Sequence, residues 1–395
     1  MISTAEALGE VLGLVAVVGT EEVPLAAASG RVLRADARAS RDQPPFAASA
    51  MDGYALCAAD AVAGTALPVV GEAAAGRRHL APLEPGTAIR IFTGAPLPQG
   101  ANSILIQEDA IREGDRITVT SAPEAGDYIR PAGMDFPAGF AVVAPRRLTP
   151  RDIALLAAMN VSHVTVARQP EVALVPTGDE LVWPGESPGP DQIVSSNAHG
   201  LAAAIAGWGC LSRLCPIARD TEASLLQALD HASGADIVVS LGGASVGDHD
   251  LVAKAWGAAG LSRAFYKVAM RPGKPLMAGR VAGSVMLGLP GNPVSAMVCG
   301  EIFLRPALDA MLGLPAGPRP RGRARLATSI EANGPREHYM RAALTDGPDG
   351  PLCSPATRQD SNLVATLAAS NALAIRPPNA PVAPTGSAID VIRLD

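Results

Sequence analysis

Apolar positions along the chain change their period several times, and each change marks a different kind of element. At the start, Ser3 or Thr4 precedes an apolar-rich run over Ala5–Val18, which reads as a capped helix followed by a turn near Pro24. From 43 to 145 short β-like runs, among them Ala88–Phe92, Ser103–Ile106 and Arg116–Thr120, are separated by Gly and Pro about every 8–12 residues, the spacing of a small all-β module. Helical character returns at Thr149-Pro150-Arg151-Asp152, a cap leading into Ile153–Met159, and a short strand follows. The β-rich module at 43–145 is therefore expected as an insertion in a helical linker domain made of 1–42 and 146–170.

From Glu171 the pattern alternates strand and helix. Val172–Val175, Leu211–Ile217, Ile237–Leu241 and Ser284–Leu289 read as strands, and Ser196–Ala206 and Thr221–His231 as helices. Over 171–317 this predicts an α/β domain with a doubly wound parallel sheet, in which ligands sit beyond the carboxyl ends of the strands. The loops 176–180, 242–250 and 290–293 each follow an apolar strand, so all three are expected on that one edge. Pro315–Pro320 reads as a linker to a C-terminal β-rich, barrel-like domain at 318–395, with runs over Arg321–Ser329, Tyr339–Leu344 and Ala388–Leu394 and a helix near Leu363–Ala369. Arg319, Arg321, Arg323 and Arg325 alternate and would share one strand face, in the plainest reading a solvated or domain-contacting one.

Composition removes several function classes. The 395 residues exceed one ordinary core, and 48% hydrophobic against 18% charged residues excludes a disordered chain. A formal net charge of −6 argues against sequence-independent nucleic-acid binding, and 3% aromatic residues against a base-stacking platform. The 5 Cys are odd in number and lack a C-x-x-C, so neither a disulfide framework nor a zinc ribbon is expected. No basic segment precedes Arg31, and the apolar stretch Val281–Leu304 is interrupted by Pro290, Asn292, Pro293 and Glu301. The expectation is a soluble cytoplasmic protein with no nucleic-acid and no membrane partner.

The candidate chemistry lies in the loops. In Pro290-Gly291-Asn292-Pro293 a stiff turn leads to Asn292 at a helix N-cap and Pro293 at the first helical position, where free N–H groups favour an anion. Lys267, Arg271 and Lys274 surround a Pro-Gly turn, and converging cations need an anion to relieve their repulsion. Gly242–Asp250 is Gly-rich without being a Walker A loop: Gly242, Gly243 and Gly247 permit close backbone approach, Ser245 can donate to a phosphate, and Asp248 and Asp250 can hold a metal. Asp179, Glu180, Asp220, Asp248 and Asp250 all fall near strand ends, and clustered carboxylates call for protonation or a cation such as Mg²⁺. Each motif alone also fits an ordinary turn or a solvated loop, and the shared edge is what joins them. Asp52-Gly53 reads as a hairpin turn, Thr93-Gly94 as another, and Asp135 as an unremarkable loop acid.

Taken in order, Pro44-Pro45-Phe46 with Ser49–Ala55, Thr93-Gly94-Ala95-Pro96, Thr177–Leu181, Gly242–Asp250, Lys267–Pro275 and Gly288–Ala296 resemble the molybdopterin molybdenumtransferase family, the MoeA type related to the C-terminal part of gephyrin. The resemblance spans the chain. It implies a homodimer that inserts molybdate-derived molybdenum into adenylylated molybdopterin, with Mg²⁺-dependent release of AMP. It places the family's acidic and threonine positions on Asp52, Thr93, Asp135, Glu180, Asp220 and Asp250, with Glu180, Asp220 and Asp250 as metal ligands. Cationic positions fall on Lys267, Arg271 and Lys274, and Arg336, Arg341 and Ser361 join the loops as cofactor-binding residues. The implied cleft lies between the α/β domain of one subunit and the 43–145 module of its partner, and the implied protein partners include the molybdopterin adenylyltransferase and cofactor-receiving apoenzymes. Ala47 and Ala48 stand where an Asp-Asn pair is common, Arg271 where Lys is frequent, and His338 where an acid is usual. Two other readings compete: a non-catalytic dimeric pterin-binding scaffold, and the adenylyltransferase step itself, against which the modules at 43–145 and 321–395 argue.

Overall fold

The computed structural model describes residues 1–243 and 251–394. Its central sheet has six strands in the spatial order Leu211–Leu214, Glu171–Pro176, Ile237–Leu241, Ser284–Leu289, Met277–Val281 and Ser262–Tyr266. The first four are parallel, as the alternating pattern predicts. Met277–Val281 runs against both of its neighbours, so the sheet is mixed where an all-parallel one is expected. The cause is local. Ala282 and Gly283 hold φ of 48° and 86°, the left-handed pair of a tight hairpin turn, which folds 277–281 straight back onto 284–289.

The inner strands read as unbroken apolar runs because both of their faces are covered. Val172, Leu174, Ile237, Val239, Val285 and Leu287 pack on one face with helices Asn197–Gly207 and Pro293–Cys299. Ala173, Val175, Val238 and Met286 pack on the other with Glu222–His231 and Leu251–Ala258.

The amino-terminal helix covers Thr4–Leu14 and not the full run to Val18. Ser3 caps it and Glu6 closes the capping box, but from Val15 the chain is extended, as β-branched Val17 and Val18 favour. Its stripe Ala7, Leu8 and Val11 enters the core of the α/β domain. The linker expected to be helical is in fact built on a four-stranded sheet in the order Thr20–Pro24, His163–Ala167, Val32–Leu33, Arg146–Arg147, with the helix Pro150–Ala158 beside it. Short strands hidden in polar sequence carry too little periodicity to be read. Thr149 caps that helix as predicted, with Pro150 at its first position. Burial alone would raise the pKa of Asp152, but the Thr149 amide and hydroxyl and the Arg146 charge outweigh it and hold the carboxyl below its ordinary range.

Residues 43–145 hold a six-stranded sheet in the order Ser103–Ile106, Gly53–Leu56, Ala88–Ile91, Ala66–Ala73, Arg116–Val119, Ala110–Glu113. At the carboxyl end, Glu337–Gly347, Gly350–Pro355, Gly322–Leu326, Ala388–Arg393 and Ala372–Arg376 pair in sequence, and the last returns to Glu337–Gly347, closing a barrel. Tyr339, Leu373, Ile375 and Ile392 on its outer side join the α/β core. The alternating arginines meet acids: Arg319 with Glu301 at 3.2 Å, Arg321 with Glu337 at 3.2 Å and Arg323 with Asp390 at 3.6 Å. No described helix is long and apolar enough to cross a membrane.

Two substitutions test this account by denaturant unfolding. Leu287→Ala, at a fully buried position on a central strand, should cost about 2–5 kcal/mol. Thr149→Ala should cost about 1 kcal/mol through the lost cap.

Candidate functional site

Three strand ends build the site's floor. The backbone leaves Pro176, Leu241 and Leu289 in adjacent parallel strands, so Thr177, Gly242 and Pro290 emerge side by side. Gly242 holds a φ of 105°, and a Cβ there would lie 2.8 Å from the Thr177 carbonyl oxygen and 2.9 Å from its hydroxyl. Gly291 comes within 3.5 Å of the Gly242 Cα by the same measure. At Gly242 only glycine permits that approach, whereas the contact at Gly291 is an ordinary one. Asn197 at the start of a helix donates to the Gly291 carbonyl at 2.7 Å and ties the Pro-Gly turn to the opposite wall.

Above this floor is a cavity of about 830 Å³. Of the residues singled out from sequence, Glu180, Asp220, Gly242, Gly243, Pro290, Gly291 and Asn292 line it. The shared-edge expectation thus holds for three separate loops. Pro293 begins a helix capped at Asn292, although the Asn292 side chain makes no capping hydrogen bond. Ser245, Gly247, Asp248 and Asp250 lie outside the described residues.

The acidic wall is held by a residue that sequence reasoning missed. Arg219 donates through Nη1 to the carbonyl oxygens of Gly178, Asp179 and Leu181 at 3.0–3.1 Å, clamping the Glu180 loop. Its position beside Asp220 was the only signal available. The Asp220 amide donates to Asp179 Oδ1 at 3.1 Å. Desolvation, followed by the charges of Asp179 and Glu180, raises the pKa of Asp220 above the ordinary aspartate value. Among the described residues no three acid, His or Cys side chains are disposed to hold a metal ion.

The cations are placed differently. Lys267, Arg271 and Lys274 lie between the strands Ser262–Tyr266 and Met277–Val281, and of this loop only Pro275 lines the cavity. Lys267 holds a left-handed backbone with φ 74°, uncommon for a side-chain-bearing residue, and its ammonium lies 5.1 Å from the Tyr266 ring centre. Arg336 donates to the Met270 carbonyl at 3.4 Å. Arg341 is 1% exposed and engaged with the chain itself, donating to Asp360 O at 2.7 Å, Arg358 O at 3.3 Å and Gln359 Oε1 at 3.2 Å. That brace carries Ser361, whose carbonyl accepts from the Val294 amide at 3.0 Å, and leaves Asn362 on the cavity wall.

Asp52 and Thr93 do meet. The Thr93 amide and hydroxyl each donate to Asp52 Oδ1 at 2.8 Å and hold its pKa below the ordinary value. Thr93 supplies these bonds although Ala47 and Ala48 offer no side-chain donor. Asp135 is exposed elsewhere in the same module. Neither Asp52, Thr93 nor Asp135 lines the cavity.

Fold and site define a multidomain α/β protein with a glycine-floored, acid-walled cavity at the carboxyl edge of its sheet. Three family descriptions match in succession: the MoeA N-terminal region (domain I and II) over residues 2–160, a probable molybdopterin binding domain over 173–310, and the MoeA C-terminal region (domain IV) over 323–394. The chain is 38% identical over 334 residues to molybdopterin molybdenumtransferase 2 of Mycobacterium tuberculosis, covering 82% of each. It is 35% identical over 388 residues to the molybdopterin molybdenumtransferase of a Nostoc species, covering 95% of this chain and 89% of that one. The crystal structure of a molybdopterin biosynthesis MoeA protein from Pyrococcus superposes over 100% of the chain with a TM-score of 0.85 at 29% identity, covering 99% of that protein. The chain belongs to the molybdopterin molybdenumtransferase family.

The Arg219 clamp gives a direct test. Arg219→Ala should cost about 1–2 kcal/mol by denaturant melt. It should also raise hydrogen exchange at residues 178–181 while leaving the 237–241 strand protected.

Proposed function

We propose that the chain inserts molybdenum, supplied as molybdate, into adenylylated molybdopterin with release of AMP; its relatives are named molybdopterin molybdenumtransferases. The observation that carries this reading is the convergence of three strand-end loops on one cavity with Glu180 and Asp220 in its wall. Gly242, Gly243 and Gly291 admit a phosphate-bearing ligand to the backbone, and Lys267, Arg271, Lys274 and Arg336 supply positive charge for dianions on the adjoining face. The same reading divides the chain into 1–42 with 146–170, 43–145, 171–317 and 318–395, and assigns it to the cytoplasm.

The acidic wall fits a divalent cation. Burial first, and then the Asp179 and Glu180 charges, raise the pKa of Asp220 against the opposing Arg219 charge, and oxygen donors are what Mg²⁺ takes. Glu180 and Asp220 would hold it, with Asp250 as the third ligand. The chemistry a bound Mg²⁺ supplies is charge neutralisation at the phosphoanhydride. No protein nucleophile is required, since the dithiolene sulfurs of the substrate receive the metal. The chain binds, orients and balances charge, and positioning and electrostatics carry the step. Asp52, Thr93 and Asp135 complete the cleft from a second copy of the chain, which makes the working unit a homodimer. Exchange with the molybdopterin adenylyltransferase and with cofactor-receiving apoenzymes follows from the chemistry of substrate and product.

Incubation with adenylylated molybdopterin, molybdate and Mg²⁺ should release AMP and form active cofactor. Glu180→Gln and Asp220→Asn should each slow AMP release by roughly 10²-fold, and absence of AMP release by the wild-type chain at any molybdate level rejects the reading. Protonated Asp220 cannot hold a cation, and its pKa is raised. The Mg²⁺ concentration for half-maximal rate should therefore rise as pH falls through that raised value and level off above it. In Asp220→Asn this dependence should disappear.

A further inference from the structure

Three strands run together at the wall of the barrel: Met270–Arg271, Glu337–Gly347 and Ala372–Arg376. Their register sets Arg271 opposite His338 and His338 opposite Arg376. Directly opposed residues on paired strands share a face at a Cβ separation of about 5 Å. The three side chains therefore form one row in which an imidazole separates two guanidinium groups.

Two of the three side chains are buried and incompletely bonded. His338 is 7% exposed and Arg376 8%, while Arg271 is open to solvent. His338 Nε2 and Arg376 Nε are both buried without a hydrogen-bond partner. Arg376 Nη2 is held by the carbonyl oxygens of Glu331, Ala380 and Pro381. Two adjacent nitrogens buried without partners are uncommon and mark a place prepared for something else.

The charges around His338 have one sign. After burial, the groups acting on it are Arg271 on one neighbouring strand, Arg336 just before its own strand, Arg341 further along it, and Arg376 on the other neighbouring strand. No carboxylate is among them. Glu337 is turned to Tyr339 and Arg321. Together these push the imidazole down to about 4, so it is neutral near pH 7.

We propose that the row binds an oxyanion and that His338 takes up a proton when it does. Burial is the main reason the imidazole is neutral, and a dianion seated against Arg271 and Arg376 offsets the second, the repulsion of the surrounding arginines. One proton then enters from solvent onto the bare ring nitrogen, one positive charge is added, and no other bond changes. His338 acts through charge and not by touching reacting atoms, so it is a positioning residue. The inference rests on the functional reading only in that Arg271 is there given to oxyanion binding.

The direction of the linkage follows. Free His338 titrates near 4 and anion-bound His338 higher. Between the two values binding consumes a proton, and affinity falls by up to about tenfold per pH unit as pH rises, then becomes flat. Inorganic sulfate stays a dianion throughout and serves as the probe, titrated by calorimetry into the full chain between about pH 5 and about pH 7.5. Wild type should bind sulfate more tightly at the lower pH with proton uptake, and His338→Gln should lose that slope. A flat wild-type profile, no sulfate binding at the lower pH, or an unchanged slope in His338→Gln each overturns the inference. Should the variant not fold, histidine NMR on the wild type decides: the one imidazole titrating near 4 should move up by about one unit or more on adding sulfate, and no movement overturns the inference. Molybdate binding near pH 7.5 is measured in parallel. Its absence rejects the functional reading, whereas molybdate binding with a flat sulfate profile rejects only the role of His338.

Discussion

Everything in the site depends on backbone meeting backbone where three parallel strands end. A Cβ at Gly242 would intrude on the Thr177 carbonyl, and one at Gly243 would lie 2.3 Å from Val252 Cγ2. Gly178 is confined instead by its φ of 146°, since a Cβ there would meet only the movable Glu180 carboxylate, at 2.3 Å. The cavity exists because side chains are missing from its floor, and its walls are then free to carry charge. The strands can deliver three loops to one place because they are parallel and buried on both faces. A parallel sheet puts successive strand ends on one edge by construction.

Charge is divided between two neighbouring regions and not mixed in one. Glu180 and Asp220 face the cavity, held by an arginine whose own charge points into backbone carbonyls. The free cations lie on the 267–275 loop and around the His338 strand, next to the barrel. This separation suits a ligand that is anionic at one end and needs a bridging cation at the other. Opposite charges placed in contact would neutralise each other and leave nothing for the ligand. Arg341 shows the alternative use of a buried guanidinium: fully bonded to carbonyls and Gln359, it fixes the 358–361 loop and so the cavity wall at Asn362.

What could be read from sequence follows from these physical differences. Ile237–Leu241 and Ser284–Leu289 were legible to the residue because a strand buried on both faces is an unbroken apolar run. Met277–Val281 was not, because Gly279 and Arg280 interrupt its pattern and the turn at Ala282-Gly283 involves a residue that rarely adopts positive φ. The helix end at Leu14 was missed since apolar valines continue the hydrophobic pattern after the helix has stopped. Glycine loops at the sheet edge were legible because their position follows from topology alone. Arg219 and Arg376 were not, because a guanidinium that binds carbonyls from distant segments leaves no local trace. The partnership of Asp52 with Thr93 was visible only as two separate turns, and a sequence separation of 41 concealed the hydrogen bonds that join them.

That last pair also explains how the inserted module relates to the rest. Its bonds are satisfied internally: Thr93 supplies both donors to Asp52, and the neighbouring Gly94 amide donates to the Ser49 carbonyl at 2.8 Å. A carboxylate held so firmly, half-buried and with its pKa lowered chiefly by neutral donors, is preorganised without being consumed by an ion pair. Such a group retains charge for an external partner. The cavity of the α/β domain has the complementary property, an acid wall and glycine floor open on one side with none of the 43–145 residues lining it. Each region is complete in its bonding and incomplete in its chemistry. In the proposed homodimer, Asp52 and Thr93 of a second copy would complete the open side.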